Sequence, residues 1–272
     1  MALVGIWERP FIDVEPFVDT AAFDAIHEEV CLALANVQVS YTGGSHKTMG
    51  IVPPALRGDA FVDYGEVLRA MSDAQFEQFC GLADEPAAID PRRRAELEFG
   101  EERSHPLSRR QMLYLKFRFG VYFPWKVYYE LVPNAFWSEK SSSEGKDFTE
   151  EARRLFPRTV SFVQSLPFES IGSCKLLGLE ANDHGTIHRD ADPAEKLTVD
   201  HFITFCPRGD KRLYLLDEAA NTRAYAPSRA YWFNDSDYHG VEPDPFFRYS
   251  IRVDGVFQRE FLEKLLRINL GD

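Results

Sequence analysis

The 272-residue sequence predicts an α+β fold, with a mainly helical region over residues 1–165 and a small β-rich unit over residues 166–272. Two observations predict this division. Apolar side chains recur at helical spacing in the first region, whereas short β-type segments alternate with turn residues from Ile171 onward. Eight short strands at this spacing are typical of a double-sheet jelly roll or a related small barrel. We expect the two regions to form one compact unit.

The helices of the first region are predicted from capping residues and apolar periodicity. Residues 20–37 carry apolar side chains close to helical spacing, with Asp19 or Thr20 as the N-cap. Ser72 is predicted to cap a second helix. A third helix is predicted over residues 148–166, immediately before the β-rich unit.

Two segments of the first region depart from this helical pattern. Apolar and polar side chains alternate from Leu113 to Phe119, and this period-2 pattern favours a strand. The segment from Ser138 to Lys146 contains four serines and a glycine. This composition predicts a mobile loop and the best internal boundary of the chain.

The strands of the second region are predicted from runs of β-branched and aromatic residues. Turn residues such as those of 207–210 and 244–245 separate the runs. A final amphipathic helix with Phe261 and Leu265 is predicted to cover one face of the unit. The predicted strands lie near residues 171–180, 185–190, 198–206, 211–216, 222–225, 229–233, 238–241 and 247–256.

Charge and composition exclude several classes of function. Lys and Arg number 31 against 43 for Asp and Glu, a formal net charge of −12. A surface this acidic repels phosphate backbones and anionic membranes, so nucleic acid and membranes are not expected partners. No run of 18 apolar residues could span a bilayer, and no signal peptide is evident. Four well-separated cysteines are typical of a reducing compartment, so we expect a cytoplasmic protein, and no feature indicates its oligomeric state.

The histidines indicate a metal site in the β-rich unit. Four of the seven lie between residues 184 and 239. On a strand, His188 and Asp190 point to the same face, although this pair alone is weak evidence. His239 follows 49 residues after Asp190 and supplies a second imidazole. Two imidazoles and one carboxylate form the facial ligand set of non-haem Fe(II) oxygenases; zinc and manganese are alternatives, although zinc more often takes a third nitrogen or sulfur ligand.

A cationic strand follows the last of these histidines. Period 2 places Arg248, Ser250 and Arg252 on one face of this strand. A buried arginine needs an anion, because a buried unpaired charge is very costly. Arg248 can bind a carboxylate through two parallel hydrogen bonds, and the Ser250 hydroxyl can add a third. A metal site beside such a clamp predicts a dicarboxylate that chelates the ion, and 2-oxoglutarate fits this description.

These motifs together resemble those of Fe(II)/2-oxoglutarate-dependent dioxygenases. Within that family the sequence is most similar to the aspartyl/asparaginyl β-hydroxylase and free-proline hydroxylase group. The likeness covers about a third of the chain, and residues 1–165 match nothing recognisable. The motifs that carry it are Lys175–Leu179, His188-Arg189-Asp190, Trp232–Ser236 with His239, and Arg248-Tyr249-Ser250.

The resemblance implies a double-stranded β-helix, a cupin-like jelly roll, as the core of the second region. It implies that His188, Asp190 and His239 are iron ligands. It also implies that Arg248 and Ser250 bind the distal carboxylate of 2-oxoglutarate.

Four further residues are weaker candidates for the site. His201 matches a strand histidine that contacts the cosubstrate in the aspartyl hydroxylases, although the arginine usually found two residues earlier is Val199 here. Arg252 either binds a substrate carboxylate or simply reaches the barrel mouth. Lys175 and Trp232 either line the substrate site or serve core or rim roles.

The function implied by the resemblance is oxygenation with Fe(II), 2-oxoglutarate and O2. The expected reaction is hydroxylation of an unactivated C–H bond, with desaturation and ring closure as alternatives. The expected substrate is an amino acid, an amino-acid-derived metabolite or a peptide, in a pocket shaped largely by residues 1–165. A cosubstrate-free cupin-type isomerase or hydrolase is the alternative, because it keeps the metal ligands without needing an inward Arg248 and Ser250. A catalytically silent binding barrel is a third hypothesis, against which the intact ligand set argues.

Overall fold

The computed structural model describes residues 2–37, 50–59, 64–99, 105–123, 127–196 and 198–270. Helices and antiparallel strands are both present, so the predicted α+β class is confirmed. The helices are α1 (Phe23–Leu34), α2 (Tyr64–Ala70), α3 (Asp73–Cys80), α4 (Arg109–Phe119), α5 (Glu150–Leu155), α6 (Pro157–Ser165) and α7 (Arg259–Leu270). The strands are β1 (Phe11–Asp13), β2 (Val127–Val132), β3 (Phe168–Leu179), β4 (Gly185–His188), β5 (His201–Phe205), β6 (Leu213–Asp217), β7 (Thr222–Tyr225), β8 (Ala230–Phe233), β9 (His239–Val241) and β10 (Arg248–Phe257).

The strands form two antiparallel sheets. The larger sheet has the order β1-β8-β5-β10-β3-β2, and the smaller has the order β4-β9-β6-β7. From β3 onward the chain passes repeatedly from one sheet to the other. The edge strands β1 and β2 of the larger sheet come from residues 1–165, so the two regions predicted from the sequence share one sheet.

Strand β10 lies between β3 and β5 and sets the register of the larger sheet. Arg252 lies opposite Lys175 on β3 and opposite Thr204 on β5. Residues opposite each other in an antiparallel pair share a face, so these three side chains point the same way. A bulge interrupts the β10–β3 pairing at Gly255, where an added Cβ would lie 2.1 Å from the Ser170 carbonyl oxygen. Only glycine fits this close approach of the two backbones.

Apolar side chains pack into two clusters among the described residues. The larger one surrounds the six-stranded sheet and includes α1, α6 and α7, with the ring of Phe23 on α1 stacked 5.9 Å from that of Phe205 on β5. The smaller one lies within residues 64–123 and is built by α2, α3 and α4. Part of the first region therefore belongs to the sheet core, and part has a core of its own.

The prediction of a strand between Leu113 and Phe119 is wrong, because these residues belong to helix α4. Ser108 and Gln111 form a reciprocal capping box at its start, and Gly120 ends it in the left-handed conformation with φ 73°. These caps satisfy backbone groups that a strand would have to pair with a neighbour. The alternating pattern misled because Phe117, whose side chain is expected to be buried in a half-buried strand, is 76% exposed.

The other predicted elements are present. Asp19 caps the turn that leads into α1, and Ser72 caps α3 with Gln75 in a second capping box. The helix predicted over residues 148–166 is divided into α5 and α6 at Pro157, which lacks an N–H and begins a new helix. All eight predicted strands and the C-terminal helix are found. Among the described residues, no helix is long and apolar enough to cross a membrane.

Candidate metal centre

Three side chains converge where β4 and β9 pair. His188 ends β4 and lies opposite His239, which begins β9. Asp190 follows β4, and its backbone N–H is held by the Asp235 carbonyl at 2.8 Å. The Asp190 Oδ1 atom lies 3.6 Å from His188 Nε2 and 3.8 Å from His239 Nε2. One donor atom from each residue lies within 4.8 Å of the other two, so one ion could contact all three.

Backbone carbonyls fix the orientation of both imidazoles. His188 Nδ1 lies 2.8 Å from the Thr186 carbonyl oxygen, and His239 Nδ1 lies 2.9 Å from that of Asp237. A carbonyl oxygen only accepts, so each Nδ1 donates and each Nε2 keeps its lone pair. Burial lowers the pKa of both histidines to about 4, so both rings are neutral at neutral pH. Both are therefore ready to bind a metal without first losing a proton.

The donor set fits Fe(II) in a site with open positions. Two imidazole nitrogens and one carboxylate oxygen on one side of an ion are the facial triad of non-haem iron oxygenases. The Asp190 side chain is only 5% exposed, and burial together with the nearby Asp235 carboxylate raises its pKa. A divalent cation would relieve this cost, because it replaces the lost hydration of the carboxylate.

Arg252 on β10 holds the other oxygen of Asp190. Its Nη1 donates to Asp190 Oδ2 at 3.1 Å, its Nη2 to Asp235 Oδ2 at 2.7 Å, and its Nε to Asp254 Oδ1 at 2.8 Å. The guanidinium carbon lies 3.8 Å from the ring centroid of Phe202. Each nitrogen of Arg252 thus donates to a carboxylate of the protein itself. The geometry leaves Oδ1 of Asp190 to face the two histidines.

Lys140 also reaches this site, although the sequence predicted that its segment is a mobile loop. Its side chain is 4% exposed, and its Nζ lies 2.6 Å from Asp200 and 2.7 Å from Asp235. Burial alone would raise the pKa of Asp235, but Lys140, Arg252 and Lys196 outweigh it and hold that pKa well below its usual range. Lys140 was not predicted, because a serine-rich composition describes the segment as a whole and not the burial of this one side chain. For Asp235, the acidic stretch before His239 was the available signal.

Lys175 faces the same interior from β3. Its Nζ lies 3.4 Å from Asp254 Oδ2 and 4.2 Å from the ring centroid of Trp137. Lys175 makes no hydrogen bond to any residue that the structure describes, and burial lowers its pKa. An ammonium in this position favours an added anion, because an anion would offset the desolvation of the cation.

A second group of polar residues lies further along β10, away from Asp190. Ser250 shares the interior face with Arg252, and its Oγ accepts a hydrogen bond from Lys211 Nζ at 2.7 Å. Arg248 is 1% exposed and lies two residues before Ser250. Its terminal nitrogens donate to the backbone carbonyls of Glu180, Asp183, Glu242 and Phe246. The two-residue alternation along β10 had predicted that Arg248, Ser250 and Arg252 share one face, but it gave no indication that Lys211 reaches Ser250.

Two of the weaker candidates lie on the opposite face of the larger sheet. His201 neighbours Phe202 on β5, and successive residues on a strand point to opposite faces. The Nδ1 of His201 accepts a hydrogen bond from the Phe257 N–H at 3.1 Å, and its ring stacks on that of Phe257 at 4.8 Å. Trp232 packs edge-on against Phe257 and Trp7, with its Nε1 donating to the Asp200 carbonyl oxygen. Neither residue joins the three that converge at β4 and β9.

No protein-family model matches the chain. No curated protein matches it either. Among solved structures, the chain is similar to a Pseudomonas putida prolyl-4-hydroxylase, with 12% sequence identity and a TM-score of 0.24. The match covers 40% of this chain and 66% of that one, so the chain spans just under two thirds of the length of this relative. It is also similar to a 2OG-Fe(II) oxygenase family oxidoreductase from Burkholderia pseudomallei, with 12% sequence identity and a TM-score of 0.29. This match covers 48% of this chain and 71% of that one. The viral collagen prolyl hydroxylase of Paramecium Bursaria Chlorella virus-1, solved with 2OG, is also similar, with 9% sequence identity and a TM-score of 0.26. That match covers 48% of this chain and 79% of the viral one.

Proposed function

We propose that the protein is an Fe(II)- and 2-oxoglutarate-dependent oxygenase that hydroxylates an unactivated C–H bond. The observation that carries the proposal is the convergence of His188, Asp190 and His239, each of which has one donor atom within 4.8 Å of those of the other two. Two neutral imidazoles and one carboxylate leave positions on the ion open for other ligands. Those positions are what a chelating cosubstrate and O2 require.

The strand topology supports a double-stranded β-helix as the frame of this site. The eight strands β3 to β10 divide equally between the two sheets, in the orders β8-β5-β10-β3 and β4-β9-β6-β7. Two four-stranded antiparallel sheets of this kind are the architecture of a jelly roll. The two histidines come from the smaller sheet and Asp190 follows β4, whereas Arg252 and Lys175 come from β10 and β3 of the larger sheet.

The interior of the larger sheet supports a dicarboxylate as the cosubstrate. Arg248 and Ser250 on β10, with Lys211 reaching Ser250 from just before β6, bring two buried cations and a hydroxyl together beyond the level of the metal ligands. Buried cations favour a ligand that brings negative charge to them. A 2-oxoglutarate molecule that chelates the ion through its 2-oxo acid end can direct its other carboxylate to this group.

The residues of the chain would orient the reactants and exclude water. His188, His239 and Asp190 would hold the iron, which when bound supplies the activation of O2 and the oxidation of the C–H bond. Arg252 keeps Asp190 Oδ1 directed at the histidines through its contact with Oδ2. The surrounding buried ion pairs fix these positions before any ligand arrives, which is the preorganisation that such a site needs.

For the substrate, we propose an amino acid, an amino-acid-derived metabolite or a peptide that carries a carboxylate. Lys175 supports this class, because its buried ammonium faces the interior beside Asp254 and Trp137 and hydrogen-bonds to none of the described residues. Lys140 and Trp137 both belong to residues 1–165, which supports a role of that region in forming the pocket. Arg252 is not proposed as a substrate ligand, because three aspartates already occupy it.

The test is an anaerobic titration of the purified protein with Fe(II) and 2-oxoglutarate. Chelation of the iron by the 2-oxo acid produces a weak visible metal-to-ligand charge-transfer band, which we expect in the wild type. The Asp190→Ala variant should lose the band because it loses a metal ligand. Admission of O2 should then release succinate from the wild type, even without the primary substrate.

Absence of the band in a wild-type protein that binds iron would contradict the proposal. In that case a cosubstrate-free cupin-type isomerase or hydrolase becomes the better hypothesis for this protein, since such an enzyme uses the same three ligands and no 2-oxo acid. Absence of iron binding would contradict both enzymes and leave the binding barrel.

A further inference from the structure

The turn between β8 and β9 (residues 234–237) supports two of the three candidate metal ligands. The Asp235 carbonyl oxygen accepts a hydrogen bond from the Asp190 N–H at 2.8 Å, and the Asp237 carbonyl oxygen accepts one from His239 Nδ1 at 2.9 Å. Each of the four residues of this turn is at most 4% exposed. A movement of this ligand-holding turn would therefore displace both ligands.

The N-terminal segment (residues 4–9) is hydrogen-bonded to the ligand-holding turn. The Val4 N–H donates to Asp237 Oδ1 at 2.7 Å, and the Gly5 N–H donates to Asp237 Oδ2 at 2.8 Å. The Gly5 carbonyl oxygen accepts a hydrogen bond from Asn234 Nδ2 at 3.2 Å. In the described part of the chain, these two N–H groups are the hydrogen-bond donors to the Asp237 carboxylate. A carboxylate buried to this extent needs such donors, because its desolvation is otherwise costly.

The conformation of the N-terminal segment is itself fixed by its surroundings. Trp7 and Glu8 have φ values of 49° and 63°, in the left-handed region that residues with side chains rarely adopt. Ile6 and Arg9 exchange two backbone hydrogen bonds across them, and the Trp7 ring packs edge-on against that of Trp232 at 5.8 Å. A strained turn persists only where neighbouring contacts hold it. The segment therefore presents its two N–H groups to the ligand-holding turn in one shape.

His239 depends on this turn more than the other two ligands do. Ile51 exchanges two backbone hydrogen bonds, at 2.7 and 2.9 Å, with Arg189, the residue between those two ligands. Within the described residues, the His239 side chain makes one hydrogen bond, to the Asp237 carbonyl oxygen. The direction of His239 Nε2 is thus set by the position of the Asp237 backbone.

We infer that Asp237 is a positioning residue for the metal centre. Its carboxylate, held by the N–H groups of Val4 and Gly5, fixes the ligand-holding turn, and the carbonyl of the same residue directs the His239 ring toward the ion. This inference rests on the metal centre of the proposed function and not on the cosubstrate or the substrate. Groups that orient a ligating imidazole typically change metal affinity about 10- to 100-fold when they are lost.

The test removes the donors and leaves Asp237 and every candidate ligand in place. Deletion of residues 2–5 should raise the Kd of Fe(II) about tenfold in anaerobic calorimetry, and it should change the visible absorption of bound Co(II), which reports ligand geometry. Asp237→Asn should raise the Kd similarly, because the amide turns a donor toward one of the two N–H groups. Arg9→Ala is the matched control: it removes the contact of the same segment with the Asn269 carbonyl oxygen and should keep the Kd within about twofold.

Urea unfolding of each metal-free variant separates positioning from stability. Adding Asp237→Asn to the deletion should raise the Kd by less than about twofold more, because both changes break the same contact. If the deletion variant does not fold, Val4→Pro replaces it, since proline removes one donor and keeps the charge of Asp237. A wild-type Kd in the folded variants, or an equal rise in Arg9→Ala, overturns the inference. A wild type that binds no Fe(II) overturns the metal centre and the proposed function, which is a different result.

Discussion

Replacing Arg252 with lysine should weaken metal binding although Arg252 does not contact the metal. The guanidinium donates at once to Asp190, Asp235 and Asp254, at 3.1, 2.7 and 2.8 Å. A lysine ammonium keeps the charge, but as a compact group it cannot reach three carboxylates in these directions. Asp190 would then lose the contact that directs Oδ1 at the two imidazoles.

The expected size of the effect follows from the position of Arg252 behind a metal ligand. Loss of a hydrogen bond to a ligating group typically costs about 10- to 100-fold in metal affinity, which is roughly 1.4–2.7 kcal/mol. Arg252→Met should instead destabilise the whole fold, by about 3–5 kcal/mol, because it leaves buried carboxylates without their partner. Arg252→Lys is therefore the informative variant.

The assay is anaerobic titration calorimetry with Fe(II), accompanied by urea unfolding of the metal-free protein. Lys175→Met is the matched control, because Lys175 lies opposite Arg252 on β3, is equally buried and contacts Asp254 without contacting Asp190. We expect this control to change the Fe(II) affinity less than threefold. An Arg252→Lys protein that is folded and binds Fe(II) as tightly as the wild type would refute the positioning role.

Three further predictions test the metal ligands and the barrel. His188→Gln should abolish Fe(II) binding in calorimetry, whereas His201→Gln should leave it intact; equal losses would contradict the assigned site. The pKa of both His188 and His239 is lowered from 6.5 to about 4, so the unfolded chain takes up their protons first, and metal-free stability in urea should fall as pH drops from about 6.5 to 4. The slope should reach about 1.4 kcal/mol per pH unit for each histidine, and a flat profile would contradict their burial as neutral groups. Gly255→Ala should lower the thermal midpoint, because its Cβ would lie 2.1 Å from the Ser170 carbonyl oxygen, and an unchanged midpoint would show that the bulge can relax.

The strands were predictable from sequence because their signals are local. Two-residue alternation and turn residues both act within one segment, and they placed every strand from β3 to β10. The same rule failed at α4, where Leu113 to Phe119 alternates but caps at Ser108 and Gly120 decide the structure. A capping box satisfies backbone groups directly, so it outweighs a pattern of side chains on a short segment.

The convergence of the three candidate metal ligands was predictable for a related reason. His188 ends β4 and Asp190 follows two residues later, so the fold needed only to bring His239 beside them. Lys140 and Lys211 were not predictable, because each reaches the interior from a connecting segment. Neither composition nor period 2 describes where a single side chain of a loop will be buried.

The partners of the arginines mark the limit of such reasoning. Alternation correctly placed Arg248 and Arg252 on one interior face, and burial correctly required an anion or other acceptors for them. It could not distinguish a ligand carboxylate from acceptors within the protein, since both satisfy a guanidinium equally well. The structure provides protein acceptors for both, as three aspartates for Arg252 and backbone carbonyls for Arg248.

The balance of charge around the metal ligands explains how the site can exist before the metal binds. The carboxylates of Asp190, Asp200, Asp235 and Asp254 are matched by four cations, Lys140, Lys175, Lys196 and Arg252. Each aspartate has a cation within 4 Å, so the ligand carboxylate is held in place without an ion. Under the proposed function, a divalent metal would add two positive charges and a dicarboxylate cosubstrate would remove them. The assembled centre would then be as close to neutral as the empty one, and that equality would favour binding the metal and the dicarboxylate together.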